Sequence, residues 1–159
     1  MEWRKMRRFR QQLTEEECID ILKKEWRGVM AVHGENGYPY AFPLDFYYDE
    51  SDGKLYFHGA KQGNKTDLLK KDNKASFCVM DQGFRNEGEW ALNIKSVILF
   101  GRVETIENPE KVIEQCRKLG RKYYPTAEGV EEEIQKAGSR VNILVMTIDH
   151  MTGKIVNES

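Results

Sequence analysis

The residues best suited to chemistry lie in one stretch, Leu55–Lys71, which reads LYFHGAKQGNKTDLLKK. Leu55, Tyr56 and Phe57 form a strand pattern that runs into His58-Gly59-Ala60. A polar turn follows, Lys61-Gln62-Gly63-Asn64, and then a helix pattern carrying Lys65, Lys70 and Lys71. A helix start leaves backbone N–H groups unpaired and carries the positive end of the helix dipole. With His58 at the strand end and Lys65 in the first helical turn, the arrangement suits a phosphate. It equally describes a strand–turn–helix connection whose charges face water, because phosphate-like turns outnumber phosphate sites. On this stretch alone both readings stay open.

Other site types find little support. The chain has no G-x-G-x-x-G, G-x-x-x-x-G-K-[ST], H-E-x-x-H or G-x-S-x-G sequence. His33, His58 and His150 are isolated from one another, and none is spaced with Cys18, Cys78 or Cys116 as metal ligands would be. No metal site is expected, and Asp49–Gly53 (DESDG) lacks the ligand spacing of a calcium loop. The three cysteines are odd in number and far apart, which argues against a disulfide framework and for a reducing compartment. All three fall in patterns consistent with core filling.

Composition places these residues in an ordinary globular chain. With 159 residues, 40% hydrophobic and 32% charged, a single domain spanning 1–159 with a substantial core is expected. The net charge of −1 offers no field to recruit nucleic acid or anionic membrane. The one basic concentration, Arg4–Arg10 (RKMRRFR), sits in an arm over residues 1–12 and reads as a solvated arm or subunit strap rather than a nucleic-acid site. No window reaches the roughly 20 apolar residues of a membrane span, and a cytoplasmic location is expected.

The elements that must position the candidate residues follow in order. Thr14-Glu15-Glu16-Glu17 is a capping box opening a helix with Cys18, Ile21, Leu22 and Trp26 inward, ended by Arg27-Gly28. Val29–His33 is a strand, and Gly34-Glu35-Asn36-Gly37 a hairpin connection. Tyr38–Tyr48 is the next strand, with Phe42, Leu44, Phe46 and Tyr48 on one face. Its two prolines, Pro39 and Pro43, each remove a ladder donor, so the strand belongs at an edge or beside a gap. Ala75–Met80 and Trp90–Ile106 are further strands, with Gly101 marking a bulge or close backbone approach. Asn108-Pro109-Glu110 starts a helix with Val112, Cys116, Leu119 and Tyr123 on one stripe, and Glu128–Ala137 is a second. Val141–Ile148 closes the fold and Met151–Val156 is a short tail. About six strands joined by hairpin signals favour an α+β fold, an antiparallel six-stranded barrel with flanking helices.

Three segments in this order, Gly37–Phe46 (GYPYAFPLDF), Leu55–Lys71 and Ser96–Val103 (SVILFGRV), resemble the pyridoxamine-5′-phosphate-oxidase-like, FMN-binding split-barrel proteins. The similarity is greatest to the 5-nitroimidazole-resistance branch, whose start Met6-Arg7-Arg8 also fits. The resemblance implies a split β-barrel that dimerises, with FMN at the subunit interface. It implies that Lys65 and Asn64 hold the phosphate, while Phe42, Pro43, Leu44 and Asp45 line the isoalloxazine with main-chain groups. His58, with Gly59 after it, would lie beside the flavin as a candidate catalytic group. Ser96 and Val97 would reach the cofactor of the partner chain, and Trp90 would be an aromatic wall. Asn64 departs from the arginine usual in oxidase members, and Met151–Ser159 offers only Lys154 where true oxidases carry arginines. Vitamin B6 oxidation is therefore not expected. The function implied is an FMN-dependent oxidoreductase reducing a small electrophile such as a nitroaromatic. The alternative is a non-catalytic flavin- or haem-binding module serving storage or sensing.

Overall fold

The computed structural model describes residues 1–158, the side chains of Ala60 and Glu158 excepted. Alternating hydrophobic residues become strands with one face buried: β1 (Arg27–His33), β2 (Pro39–Asp45), β3 (Tyr47–Asp49), β4 (Lys54–Ala60), β5 (Lys74–Met80), β6 (Leu92–Ile106) and β7 (Val141–Glu158). They form one antiparallel sheet in the order β2-β1-β5-β6-β7-β4-β3. The first and last strands in this order, β2 and β3, are separated in the chain only by Phe46. The sheet therefore curls on itself.

Seven strands replace the six expected. The run Tyr38–Tyr48, read as one strand, breaks at Phe46. There the backbone leaves the ladder and bonds to side chains of α3 (Pro109–Tyr123): the Phe46 N–H donates to the Tyr123 hydroxyl at 2.9 Å. The Phe46 carbonyl accepts from Lys122 Nζ at 2.9 Å, and the Phe46 ring is fully buried. In the opposite sense, Val141–Ile148 and the supposed tail are one continuous strand, because Leu92–Phe100 of β6 pairs with it as far as Glu158. Gly101 interrupts that pairing with a register shift after Phe100. A Cβ there would lie 2.2 Å from the Thr147 carbonyl oxygen, so only glycine lets the strands approach.

The inner face of the curled sheet packs Met30, Phe46, Leu55, Phe57, Phe77, Leu99 and Met146, all fully buried. Phe77 meets Phe46 and Phe57 edge-on, with centroids 5.2 and 5.1 Å away. Helix α1 (Glu15–Lys24) opens with the Thr14–Glu17 capping box and buries Cys18, Ile21 and Leu22. It stops at Lys24 rather than at Arg27-Gly28, and Gly28 lies inside β1, where a Cβ would sit 2.3 Å from the Phe77 ring. Trp26, expected inward, is 55% exposed and rests against Tyr123. Helix α3, started by Asn108 and Pro109, covers a second small core of Tyr56, Val112 and Ile143. Helix α4 (Ala127–Ala137) follows, and α2 (Asn64–Lys71) sits after β4.

The arm lies on the sheet rather than in solvent alone. Leu13 N–H donates to the Gly153 carbonyl at 2.8 Å, and the Trp3 indole stacks on His150 with centroids 4.7 Å apart. Of the cysteines, Cys18 is buried and Cys116 partly so, but Cys78, expected in the core, is exposed on the outer face of β5. Among the described residues no helix is long and apolar enough to cross a membrane.

Candidate functional site

The strap from β4 through α2 forms as its residue types require. Gly63 caps α2 with φ 144°, a left-handed conformation that favours glycine, and no side chain caps this end. The first intrahelical bond here runs from Asp67 N–H to the Gly63 carbonyl at 3.2 Å. The N–H groups of Asn64, Lys65 and Thr66 therefore precede the ladder. Lys65 Nζ lies 4.8 Å from the centroid of the Phe42 ring, a cation–π contact that ties the helix start to β2. Residues more than twenty positions apart in the chain thus meet: the helix start with its lysine, and the proline-bearing strand. Free backbone donors, a helix N-terminus and an ammonium form a donor set that fits a phosphate. Asp67, exposed in the same first turn, already complements part of that positive end.

β2 stands at one end of the sheet order with β1 as its neighbour, so Pro39 and Pro43 occupy an edge as their chemistry requires. Its alternation divides the candidate residues. Phe42 and Leu44 point into the core, at 5% and 8% exposure, so any contact they make with a ligand is through the main chain. Pro43 is exposed, and Asp45 is half-buried and paired with Arg27 at 2.8 Å. Across the sheet, Pro43, Val29, Cys78, Ile98 and Thr152 stand in one cross-strand row on the outer face. Ser96, opposite Met80 and Lys154, shares that face, whereas Val97 is fully buried beneath it. Val29, Met80, Ile98 and Phe100 leave this face apolar and open. Trp90 is 85% exposed on the loop before β6 and forms no wall to this site among the described residues.

His58 lies elsewhere. It follows Tyr56 on the outer face of β4 and, with Gly59, is exposed. It opens on a cavity of about 170 Å³ that it shares with Cys116, Leu119, Tyr124, Val130 and Glu133. A larger groove of about 1130 Å³, lined by Thr66, Lys70 and Asn142 among others, adjoins it, and Gly138 and Val141 belong to both. The fold thus brings together Lys65, Phe42 and the β2 edge, and sets His58 in a separate hollow beneath α3 and α4.

Sequence reasoning overlooked a clamp made by α3. The Tyr123 hydroxyl accepts from Phe46 N–H and donates to the Trp26 carbonyl at 2.6 Å. Burial pushes this phenol up to about 12. One turn earlier, Lys118 reaches buried Asp49 at 3.0 Å. Burial raises the Asp49 carboxyl, but the bonds from the Ser51 hydroxyl and Lys118 outweigh it and bring the group down to about 2. The only sequence signal was the helical stripe ending at Tyr123; the partners lie 69 to 97 residues away.

Among solved structures the chain is similar to a candidate 5-nitroimidazole antibiotic resistance protein from Bacteroides thetaiotaomicron, with 20% identity and a TM-score of 0.75 over 92% of this chain and 87% of that one. It is also similar to a conserved hypothetical protein from Mycobacterium tuberculosis, with 16% identity and a TM-score of 0.79 over 94% and 90% of the two chains. A third similar structure is the FAD and haem binding protein of Mycobacterium smegmatis, with 22% identity and a TM-score of 0.73 over 91% and 73%. These likenesses show a shared fold. Among curated proteins none matches the chain. The family model for pyridoxamine 5′-phosphate oxidase matches residues 14–155, which takes in the curled sheet, all four helices and the proline-edged strand beside Lys65, and the chain belongs to that family.

Proposed function

We propose that this chain binds FMN as a homodimer, with the cofactor at the subunit interface, and uses it to reduce a small electrophile such as a nitroaromatic. The observation that carries this reading is the contact of Lys65 with Phe42, which joins a phosphate-suited helix start to an edge strand with open backbone groups. Family membership supports it, as does the similar fold of the FAD and haem binding protein from Mycobacterium smegmatis. The open apolar outer face, where Met80 is 62% and Val29 43% exposed, suits burial against a second copy.

When bound, the flavin supplies the redox chemistry itself, taking electrons from an external donor such as a reduced nicotinamide. Lys65 and the first N–H groups of α2 hold the phosphate. The main chain of β2 at Phe42–Asp45 orients the ring system along its free edge. Ser96 and the backbone at Val97 serve the cofactor of the facing copy. His58 opens on the separate 170 Å³ hollow beneath α3 and α4 and holds no part of the flavin bound along β2 of its own copy.

Lys65→Ala tests the carrying observation. A charge-assisted phosphate contact contributes about 1.5–3 kcal/mol, so flavin affinity should fall about 10- to 150-fold, while the flavin-free protein loses only the cation–π contact with Phe42, about 0.5–1 kcal/mol, and melts at most a few degrees lower. Unchanged flavin occupancy would remove the phosphate assignment. Protein that stays colourless after FMN is added and the excess removed would remove the whole reading. Turnover of a nitro compound with reduced nicotinamide supports the reductase; a bound flavin that never turns over assigns the chain to storage or sensing instead.

A further inference from the structure

A third hollow, of about 350 Å³, lies between α1, β3 and the end of α3, lined by Leu22, Tyr47, Tyr48, Asp49, Glu50 and Lys122 among others. Two lysines line it, Lys23 and Lys122, and a third, Lys118, reaches Asp49 of the lining; carboxylates neutralise Lys23 and Lys118. Lys23 pairs with Glu50 at 2.8 Å, and Lys118 with Asp49 at 3.0 Å. Lys122 has no carboxylate partner among the described residues. Its Nζ donates to the Phe46 carbonyl and stands 3.8 Å from the centroid of the Phe46 ring. Asp45, the acid closest in sequence to Phe46, is taken by Arg27. An amine so placed keeps a hydrogen-bond acceptor but lacks the anion that would hold its extra proton.

The titration follows the geometry. Burial draws Lys122 down to about 8, with Asp45 and Glu25 offsetting part of the effect. The other ionisable groups facing this region are Tyr123 beside it on α3, Tyr47 and Tyr48 on β3, and the two ion pairs above. Lysines of this kind, desolvated and lining a cavity, are the ones able to act as nucleophiles near neutral pH.

We propose that Lys122 is a carbonyl-capturing amine, which forms an imine with a small aldehyde entering the hollow between α1, β3 and α3. The lone pair of the neutral amine attacks the carbonyl carbon, forming a C–N bond as the carbonyl π pair moves to oxygen. A proton passes from nitrogen to that oxygen through solvent. The hydroxyl takes a second proton from solvent as the nitrogen lone pair forms the C=N bond and the C–O bond breaks, so that water leaves and the protonated imine remains. Nothing is oxidised or reduced. In its protonated form the imine retains one N–H, which can still donate to the Phe46 carbonyl, so capture leaves the break between β2 and β3 bridged. Leu22, Tyr47 and Tyr48 give the hollow an apolar and aromatic wall, which favours a small aromatic aldehyde over a charged one.

The experiment is competitive reductive labelling of the full-length wild-type chain with benzaldehyde and cyanoborohydride at neutral pH, read by peptide mass spectrometry. An amine titrating near 8 has a neutral fraction about two orders of magnitude above that of an ordinary lysine, offset in part by its weaker basicity. Lys122 is expected to label more than about tenfold faster than exposed lysines such as Lys24 and Lys74. Its rate should rise with pH and level off above about 8. Lys122→Arg, which keeps the cation and the carbonyl contact, should fold and lose only this label. Labelling of Lys122 no faster than of exposed lysines, or only after urea unfolds the chain, overturns the proposal. None of these readings depends on flavin, so failure here and failure of the FMN reading are separate results.

Discussion

Replacing Tyr123 with phenylalanine isolates the clamp that bends the sheet between β2 and β3. The change removes one oxygen and keeps the ring, so the packing against Trp26, 5.4 Å between centroids, is preserved and no sizeable cavity opens. The bond from Phe46 N–H at 2.9 Å goes, and with it the hydroxyl's own donation, which is shared between the Trp26 carbonyl at 2.6 Å and the Phe46 carbonyl at 2.9 Å. Trp26 is exposed, and water can take over its carbonyl. Phe46 is fully buried, so its N–H is left unsatisfied, while its carbonyl keeps Lys122. The cost is dominated by that one buried donor, about 1–3 kcal/mol. In a chain of this size such a loss lowers the melting temperature by about 3–10 °C. Urea unfolding followed by circular dichroism should show a lower midpoint with an unchanged slope. Combining Tyr123→Phe with Lys122→Met should give a coupling of at least about 0.5 kcal/mol, since both side chains serve Phe46. A single-variant loss below about 0.5 kcal/mol would refute the claim that α3 holds this bend.

Two further outcomes are expected. The Asp49 carboxyl sits below its unfolded value, so its contribution of about 2 kcal/mol is present above pH ~4 and is lost as pH falls from ~4 towards ~2; Asp49→Asn should lose that amount at neutral pH, and its stability should converge with that of wild type in acid-titrated urea unfolding. Cys78 stands in the middle of the outer-face row, so a maleimide should label it readily in dilute, monomeric protein and slowly at concentrations where ultracentrifugation shows a dimer. Equal labelling in both states would place the dimer contact elsewhere.

Features decided within a few residues were legible in the chain. The Thr14–Glu17 box opens α1, Asn108-Pro109 opens α3, and Asn36-Gly37, both at positive φ, make the β1–β2 turn. Pro39 and Pro43 announce an edge strand because a missing N–H has the same effect wherever the strand lies, and Gly101 marks the bulge it makes. Gly63-Asn64-Lys65 is a helix start on local grounds alone. What tertiary structure decided depends on which strands become neighbours. Phe46 breaks its strand because side chains 76 and 77 residues further on capture its backbone, and no periodicity in Tyr38–Tyr48 foretells them. Val29 and Cys78 look like core residues by composition, yet pairing puts both on the open outer face. Lys65 reaches Phe42 and His58 does not join them, because alternation along β4 sends His58 beneath α3 while α2 turns back towards β2. Short-range hydrogen bonding sets where elements begin and end; the curl of the sheet sets which of their side chains share a site.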